Sequence, residues 1–196
     1  MMCHRTRAGY PLLFMRSLVN SLVAAVLGGA VLAVSWSARA DSPRQAAMVE
    51  AGRRLFFDVR LSEPPGTSCA SCHDPARAFS GDNGSGLAVP RGSRPEARGT
   101  RNSPTLMYLA TSPGPGFSDK DGKAVPRGGF FWDGRAASLA AQALGPLFTA
   151  HEMNNRDAPA LAAKVAASDA APWLRQAFGE DVFAAPDRAM SAIANS

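Results

Sequence analysis

Apolar residues at Ala47, Met48, Ala51 and Leu55 return every three or four positions, which predicts an amphipathic helix over residues 43–57 with one stripe turned to a core. Its start is marked by Ser42-Pro43-Arg44-Gln45: serine at the N-cap, proline at N1 and glutamine at N3, the sequence form of a capping box. The same kind of signal predicts a short helix from Pro104 capped by Ser103, and another from about Ala136 to Leu144. Two alanine-rich helices should be opened by Asp157 and Asp169, with Gly179 ending the second. Strict apolar–polar alternation is absent over any useful length, so the expected fold class is mainly α. Between Ser80 and Phe130 the periodicity gives out, and that stretch holds more than half of the 18 glycines. A segment of that length is expected to wrap a ligand or partner as a long Gly/Pro-rich loop. Within it, SDKDGK lacks the acidic positions and closing glutamate of an EF-hand loop and reads as a plain turn.

The N-terminus follows a different pattern. From Met15 the chain has an arginine (Arg16), an apolar stretch from Leu22 to Val34, and small residues ending in Ala38-Arg39-Ala40. This is the three-part form of a secretory signal peptide cleaved after Ala40, and its apolar run is short of the roughly 20 residues that a membrane span needs. Residues 1–40 are therefore expected to be a removable leader, with 1–14 an upstream start, and residues 41–196 the working domain in the periplasm. The formal charge of +5 then largely disappears, because the leader holds Arg5, Arg7, Arg16 and Arg39 and no acid. With no basic cluster interleaved with aromatics, nucleic acid is not an expected partner, and no stable membrane span is expected after cleavage.

Export changes what the cysteines mean. Without Cys3 the chain keeps Cys69 and Cys72, and His73 follows directly. A structural zinc site needs four ligands, and the only other histidine past the leader is His151. A thioredoxin-like redox pair follows a strand, and no β-branched run precedes Thr67. Covalent haem c meets every constraint: two thiols add to the porphyrin vinyl groups, and the next residue gives its imidazole to the iron. One axial position then remains. A methionine there (Met107, Met153 or Met190) would make the protein an electron carrier, whereas an open position would bind a small molecule, and each methionine taken singly also fits ordinary core packing.

Five segments, in order, carry a resemblance: LFFDVRLS (55–62), CASCHDPARAF (69–79), RNSPTLMYLA (101–110), FFWDGRAASLAAQALGPL (130–147) and HEMNN (151–155). Together they resemble the bacterial di-haem cytochrome c peroxidase family, including its members that mature the quinone cofactor of methylamine dehydrogenase. The resemblance implies a cytochrome c-like haem domain, the N-terminal peroxidatic one. Cys69 and Cys72 would then bind the haem, with His73 the proximal iron ligand. It also implies that Gln142 and Glu152 are the distal pair, Trp132 the tryptophan between haems, and Asn102 a ligand of an interdomain calcium ion. Glu152 would act as acid and base on hydrogen peroxide, its pKa raised by partial burial, and Gln142 would hold the peroxide by hydrogen bonds. Electrons would come from a small cytochrome c or cupredoxin.

Two departures from the family pattern shape the expectation. Classical members carry, in the loop after the haem motif, a histidine that caps the resting iron; residues 80–101 contain none, so the resting site is expected to be open, as in the quinone-maturing members. His151 is the one residue placed to change this, and it is expected to be a polar neighbour of the distal site. The chain also ends at RAMSAIANS with no second CxxCH, which implies that the relay haem belongs to a second chain, or that the product is a fragment without full turnover. The competing reading is a monohaem electron carrier with a methionine as sixth ligand.

Overall fold

The computed structural model describes residues 42–196, so the leader, its cleavage after Ala40 and Cys3 lie outside the described residues. Helix α1 runs Pro43–Phe57, the span the apolar spacing predicts, and buries Ala47, Ala51 and Leu55. It is followed by a 3-10 turn at Val59–Leu61, the four-residue helix α2 at Cys69–Cys72, and further 3-10 turns at Pro75–Arg77 and Leu109–Thr111. A hairpin of β1 (Gly116–Lys120) and β2 (Lys123–Arg127) comes next, then α3 (Leu139–Phe148), α4 (Ala158–Ala166), α5 (Ala171–Phe178) and α6 (Pro186–Ala194). The architecture is mainly α, as expected.

One core serves all the longer helices. α1 packs on α5, and Arg44 Nε donates to the Ala177 carbonyl at 3.0 Å across that contact. α3 and α4 both pack on α6, and between them lie Leu61, Leu147, Met153, Leu161, Val165, Leu174, Val182 and Met190. Removing this apolar surface from water is the main favourable contribution, at roughly 25 cal/mol per Å². Two of the three methionines considered as iron ligands, Met153 and Met190, are used here as packing.

A polar staple crosses the core. Asn155, 4% exposed, donates through Nδ2 to the Leu61 carbonyl at 2.7 Å and the Leu147 carbonyl at 2.9 Å. Its Oδ1 accepts from Lys164 Nζ at 2.9 Å, and that ammonium also reaches the Ser62 carbonyl and the Glu63 carboxylate. Each group is satisfied by another, which is the condition for burying polar atoms without loss.

The boundaries differ from expectation at four places. No helix begins at Pro104, because its carbonyl accepts from His73 Nδ1, Ser103 pairs with Gly81 in a bridge, and Thr105 Oγ1 donates to the Ala78 carbonyl. These long-range bonds take the groups a helix would use. α3 starts at Leu139, not Ala136: Ala136 is held in a bridge to Phe130, and Ser138 supplies the cap by accepting from Ala141 N. Asp157 caps α4 as predicted, but α5 is preceded by Ala170, whose amide is met by Ser168 Oγ, while Asp169 pairs with Arg60. The hairpin was not expected. Its signal is the Asp121-Gly122 pair inside SDKDGK, with φ of 56° and 75°, the backbone of a type I′ hairpin turn.

Asn155→Ala removes both side-chain donors to the buried Leu61 and Leu147 carbonyls and one of the acceptors of Lys164, so unfolding free energy is expected to fall by about 2–4 kcal/mol in chemical denaturation, while Arg156→Ala on the exposed neighbour changes it by less than about 0.5 kcal/mol.

Candidate functional site

Helix α2 is only one turn long and carries both cysteines. Ser68 opens it: Ser68 N donates to Ser71 Oγ, the two hydroxyls lie 3.3 Å apart, and Ser71 N returns to the Ser68 carbonyl. The two thiols are free, and burial pushes both up to about 11. Thiols of a redox pair are activated in the opposite direction. Among the described residues no three His, Cys, Asp or Glu side chains cluster to make a multidentate metal site. The zinc alternative therefore lacks a donor set in this part of the chain.

His73 caps α2, its amide donating to the Cys69 carbonyl. Its Nδ1 faces two carbonyls, Phe79 at 2.9 Å and Pro104 at 3.1 Å. A carbonyl can only accept, so Nδ1 carries a proton and Nε2 is the ring nitrogen left for a metal, the arrangement of a ligating imidazole with its second ring nitrogen anchored. Delivering the Phe79 carbonyl takes unusual backbone: Ala78 and Phe79 are consecutive left-handed residues, with φ of 54° and 57°. Thr105 Oγ1 holds the Ala78 carbonyl and the Phe79 amide donates to the Asp74 carbonyl, so the strained turn is fixed at both ends. Two thiols that are not activated and an imidazole oriented through Nδ1 at this spacing fit covalent haem c.

The second half of the site is the turn 149–155. Glu152 N donates to the Thr149 carbonyl, its carbonyl accepts from Ser93 N, and Met153 on its far side is buried in the core. The Glu152 carboxyl is raised above the usual carboxylate range by burial, while the charges of His151, Arg135 and His73 pull it back. Glu152 in turn helps push the Cys72 thiol up. Residues 80 positions apart in the chain therefore act on one another electrostatically, and the structure brings Glu152 to the face of the CxxCH motif. His151 is half-exposed, with Nε2 4.0 Å from Glu152 Oε1. It is a polar neighbour of Glu152, as expected.

Gln142 sits half-buried in the first turns of α3, its amide bonded to the Ser138 carbonyl. Trp132 is 60% exposed and donates Nε1 to the Asn102 carbonyl at 3.2 Å. That bond uses the Asn102 main chain, and Asn102, Arg101 and Trp132 line one shallow cleft. Met107 remains on the surface at 40% exposure. The sequence reading missed Arg135, which forms two bonds to Asp133 and lies 3.7 Å from the centre of the Phe131 ring. That ring occupies the space a side chain at Gly145 of α3 would need, which ties the FFWDGR loop to the helix bearing Gln142. It missed Asn83, Ser93 and Asn155 as well. The juxtaposition of Asn154 and Asn155 with the buried Met153 in HEMNN was the one available signal.

Comparison with known proteins shows what the chain is similar to. A family model described as di-haem cytochrome c peroxidase matches residues 46–195. The methylamine utilization protein MauG of Paracoccus denitrificans is 39% identical over 157 residues, which cover 79% of this chain and 40% of that protein. The cytochrome c551 peroxidase of Pseudomonas aeruginosa is 35% identical over 106 residues, covering 54% of this chain and 25% of that protein. The crystal structure of the diheme peroxidase BthA from Burkholderia thailandensis superposes with a TM-score of 0.69 at 42% identity, over 75% of this chain and 36% of that one. The chain thus spans less than half the length of these relatives.

The raised Glu152 pKa has a sign that can be checked. A carboxyl raised in the folded state binds its proton more tightly there than in the unfolded chain, so the stability it contributes is present at low pH and is lost as pH rises through the folded value. Glu152→Gln cannot ionise, so urea unfolding should find it equal to the parent chain below about pH 4 and more stable than the parent at neutral pH.

Proposed function

Because the chain belongs to the di-haem cytochrome c peroxidase family, we propose that residues 41–196 form an exported, periplasmic haem c peroxidase domain that reduces hydrogen peroxide to water. In this reading Cys69 and Cys72 hold the haem by thioether bonds and His73 Nε2 is the proximal ligand. The observation that carries it is the pairing of two half-sites: an imidazole anchored through Nδ1, and a carboxyl raised by burial that acts on Cys72 and is acted on by His73. Haem c, when bound, supplies an iron centre that accepts peroxide and the oxidising chemistry that follows.

The chain's own residues supply the proton handling. Glu152 is half-exposed and keeps a pKa above the ordinary range, so it can take a proton from peroxide at one carboxylate oxygen and return it to the departing oxygen. Gln142 does not titrate and orients the peroxide by hydrogen bonding from α3. His151 keeps a polar contact beside Glu152. No histidine occurs between residues 80 and 101, which supports a resting site that is open without prior reduction. Trp132 presents most of its ring to the outside while its Nε1 is fixed on Asn102, an arrangement suited to passing electrons to or from a second haem-bearing chain. The donor is a small cytochrome c or cupredoxin, and the neighbouring Asn102 side chain is a candidate calcium ligand.

The burial of Met153 and Met190 in the core favours this reading over a methionine-ligated electron carrier. Glu152→Gln in the haem-loaded protein, mixed with peroxide and followed by stopped-flow absorption, should slow the reaction by about 10²–10⁴-fold and leave the ferric spectrum unchanged. A variant that reacts at the parent rate would remove the acid–base role from Glu152, whereas a parent protein indifferent to peroxide would return it to the electron-carrier class.

A further inference from the structure

Glu152 sits on a turn, not on a helix, so something must fix its distance from the haem motif. Three consecutive residues of the preceding loop grip three consecutive residues of the turn. Gly92 lies so close to the His151 carbonyl that a Cβ there would come within 2.3 Å of the oxygen. Ser93 N donates to the Glu152 carbonyl at 2.8 Å, and Arg94 Nη2 donates to the Ala150 carbonyl at 3.2 Å. Ser93 Oγ also bonds the Glu63 carbonyl, which Asn154 Nδ2 reaches from the turn.

The other end of the same loop is tied to the haem motif. Asn83 brackets the Arg91 peptide, with Nδ2 donating to the Arg91 carbonyl and Oδ1 accepting from the Arg91 amide, both at 2.9 Å. The same Nδ2 lies 3.8 Å from Cys72 Sγ, a sulfur that stays a weak acceptor as a thioether. Between the two ends the loop is closed by the Gly92 amide on the Ala97 carbonyl, the Gly99 amide on the Pro90 carbonyl and the Arg91–Arg98 bridge, with Ala97 buried beneath. A continuous chain of bonds thus runs from Cys72 through Asn83, Arg91 and Ser93 to Glu152.

We propose that the loop 83–99 is a positioning frame that sets where the Glu152 carboxylate stands relative to the haem motif, with Asn83 and Gly92 as its positioning residues. The inference rests on the acid–base reading of Glu152 and assigns what holds that group in place. Neither residue touches peroxide. Asn83→Ala unties the loop from Cys72 and Arg91 without adding bulk, and Gly92→Ala pushes directly on the His151–Glu152 peptide.

The test uses the haem-loaded chain and two readouts, amide hydrogen exchange and the peroxide reaction under single-turnover conditions. In Asn83→Ala the amide of Ser93, which bonds the Glu152 carbonyl, should exchange at least about tenfold faster while that of Leu174 in the core is unchanged. The saturating peroxide rate should fall about 10–100-fold with the half-saturating peroxide concentration within about twofold, because orientation is lost and binding is not. Gly92→Ala should show the same split of rate from affinity. If both variants keep the parent rate and Ser93 protection while Glu152→Gln is slow, the frame is overturned and the acid–base reading stands. If Glu152→Gln reacts like the parent, both fall together.

Discussion

The side-chain amide of Asn155 is the contact on which the rest of this structure depends. It has no solvent to fall back on, so its donors and acceptor must be met inside the protein, and the groups that meet them come from three separate segments: Leu61, Leu147 and Lys164. One satisfied amide thereby fixes where the end of α3, the last turn of α4 and the segment after α1 stand relative to one another. The turn 149–155 spans the gap between α3 and α4, so its geometry follows from that junction. Met153 anchors the turn in the core and leaves its neighbour Glu152 on the outer side, facing the CxxCH motif.

The site is built from loops held by many weak tethers, with little regular structure. α2 is a single turn, and the carbonyl that orients His73 is presented by two left-handed residues that cost free energy on their own. That conformation persists because Asp74 and Thr105 constrain it from either side. The same principle operates at Gly92, where backbone meets backbone too closely for any side chain. Rigid placement on loops demands such over-determination, since a loop lacks the repeating ladder that fixes a helix. The result is a His73 ring oriented by two main-chain carbonyls and a Glu152 backbone held by the Ser93 amide.

Local features were legible in the sequence. The stripe of Ala47, Ala51 and Leu55 placed α1, Asp157 placed the start of α4, and the CxxCH spacing named the cofactor class before any coordinates. What could not be read were the partners at long separation. Pro104 looked like a helix start because its neighbours are compatible with one, yet its carbonyl is taken by an imidazole 31 positions earlier. Ala136 fits a helix by composition and is instead bridged to Phe130, while the apparent cap at Asp169 is turned to Arg60. Nothing in the sequence indicated how exposed Trp132 would be, and only the fold shows it mostly exposed. The roles of Asn83, Ser93 and Asn155 depend wholly on such distant pairings, and polar residues in loops carry no periodicity that would announce them. The hairpin is the exception, because the Asp-Gly pair that specifies its turn was visible and only the flanking alternation was missing.

We propose that His73 alone ligates the iron from this chain and leaves the side facing Glu152 open. The most direct measurement is the electron paramagnetic resonance spectrum of the ferric protein, produced with a cytochrome c maturation system so that haem is attached at Cys69 and Cys72. A predominantly high-spin signal is expected. A wholly low-spin signal would contradict it, since a second strong ligand such as Met107 or His151 would then occupy the position assigned to peroxide.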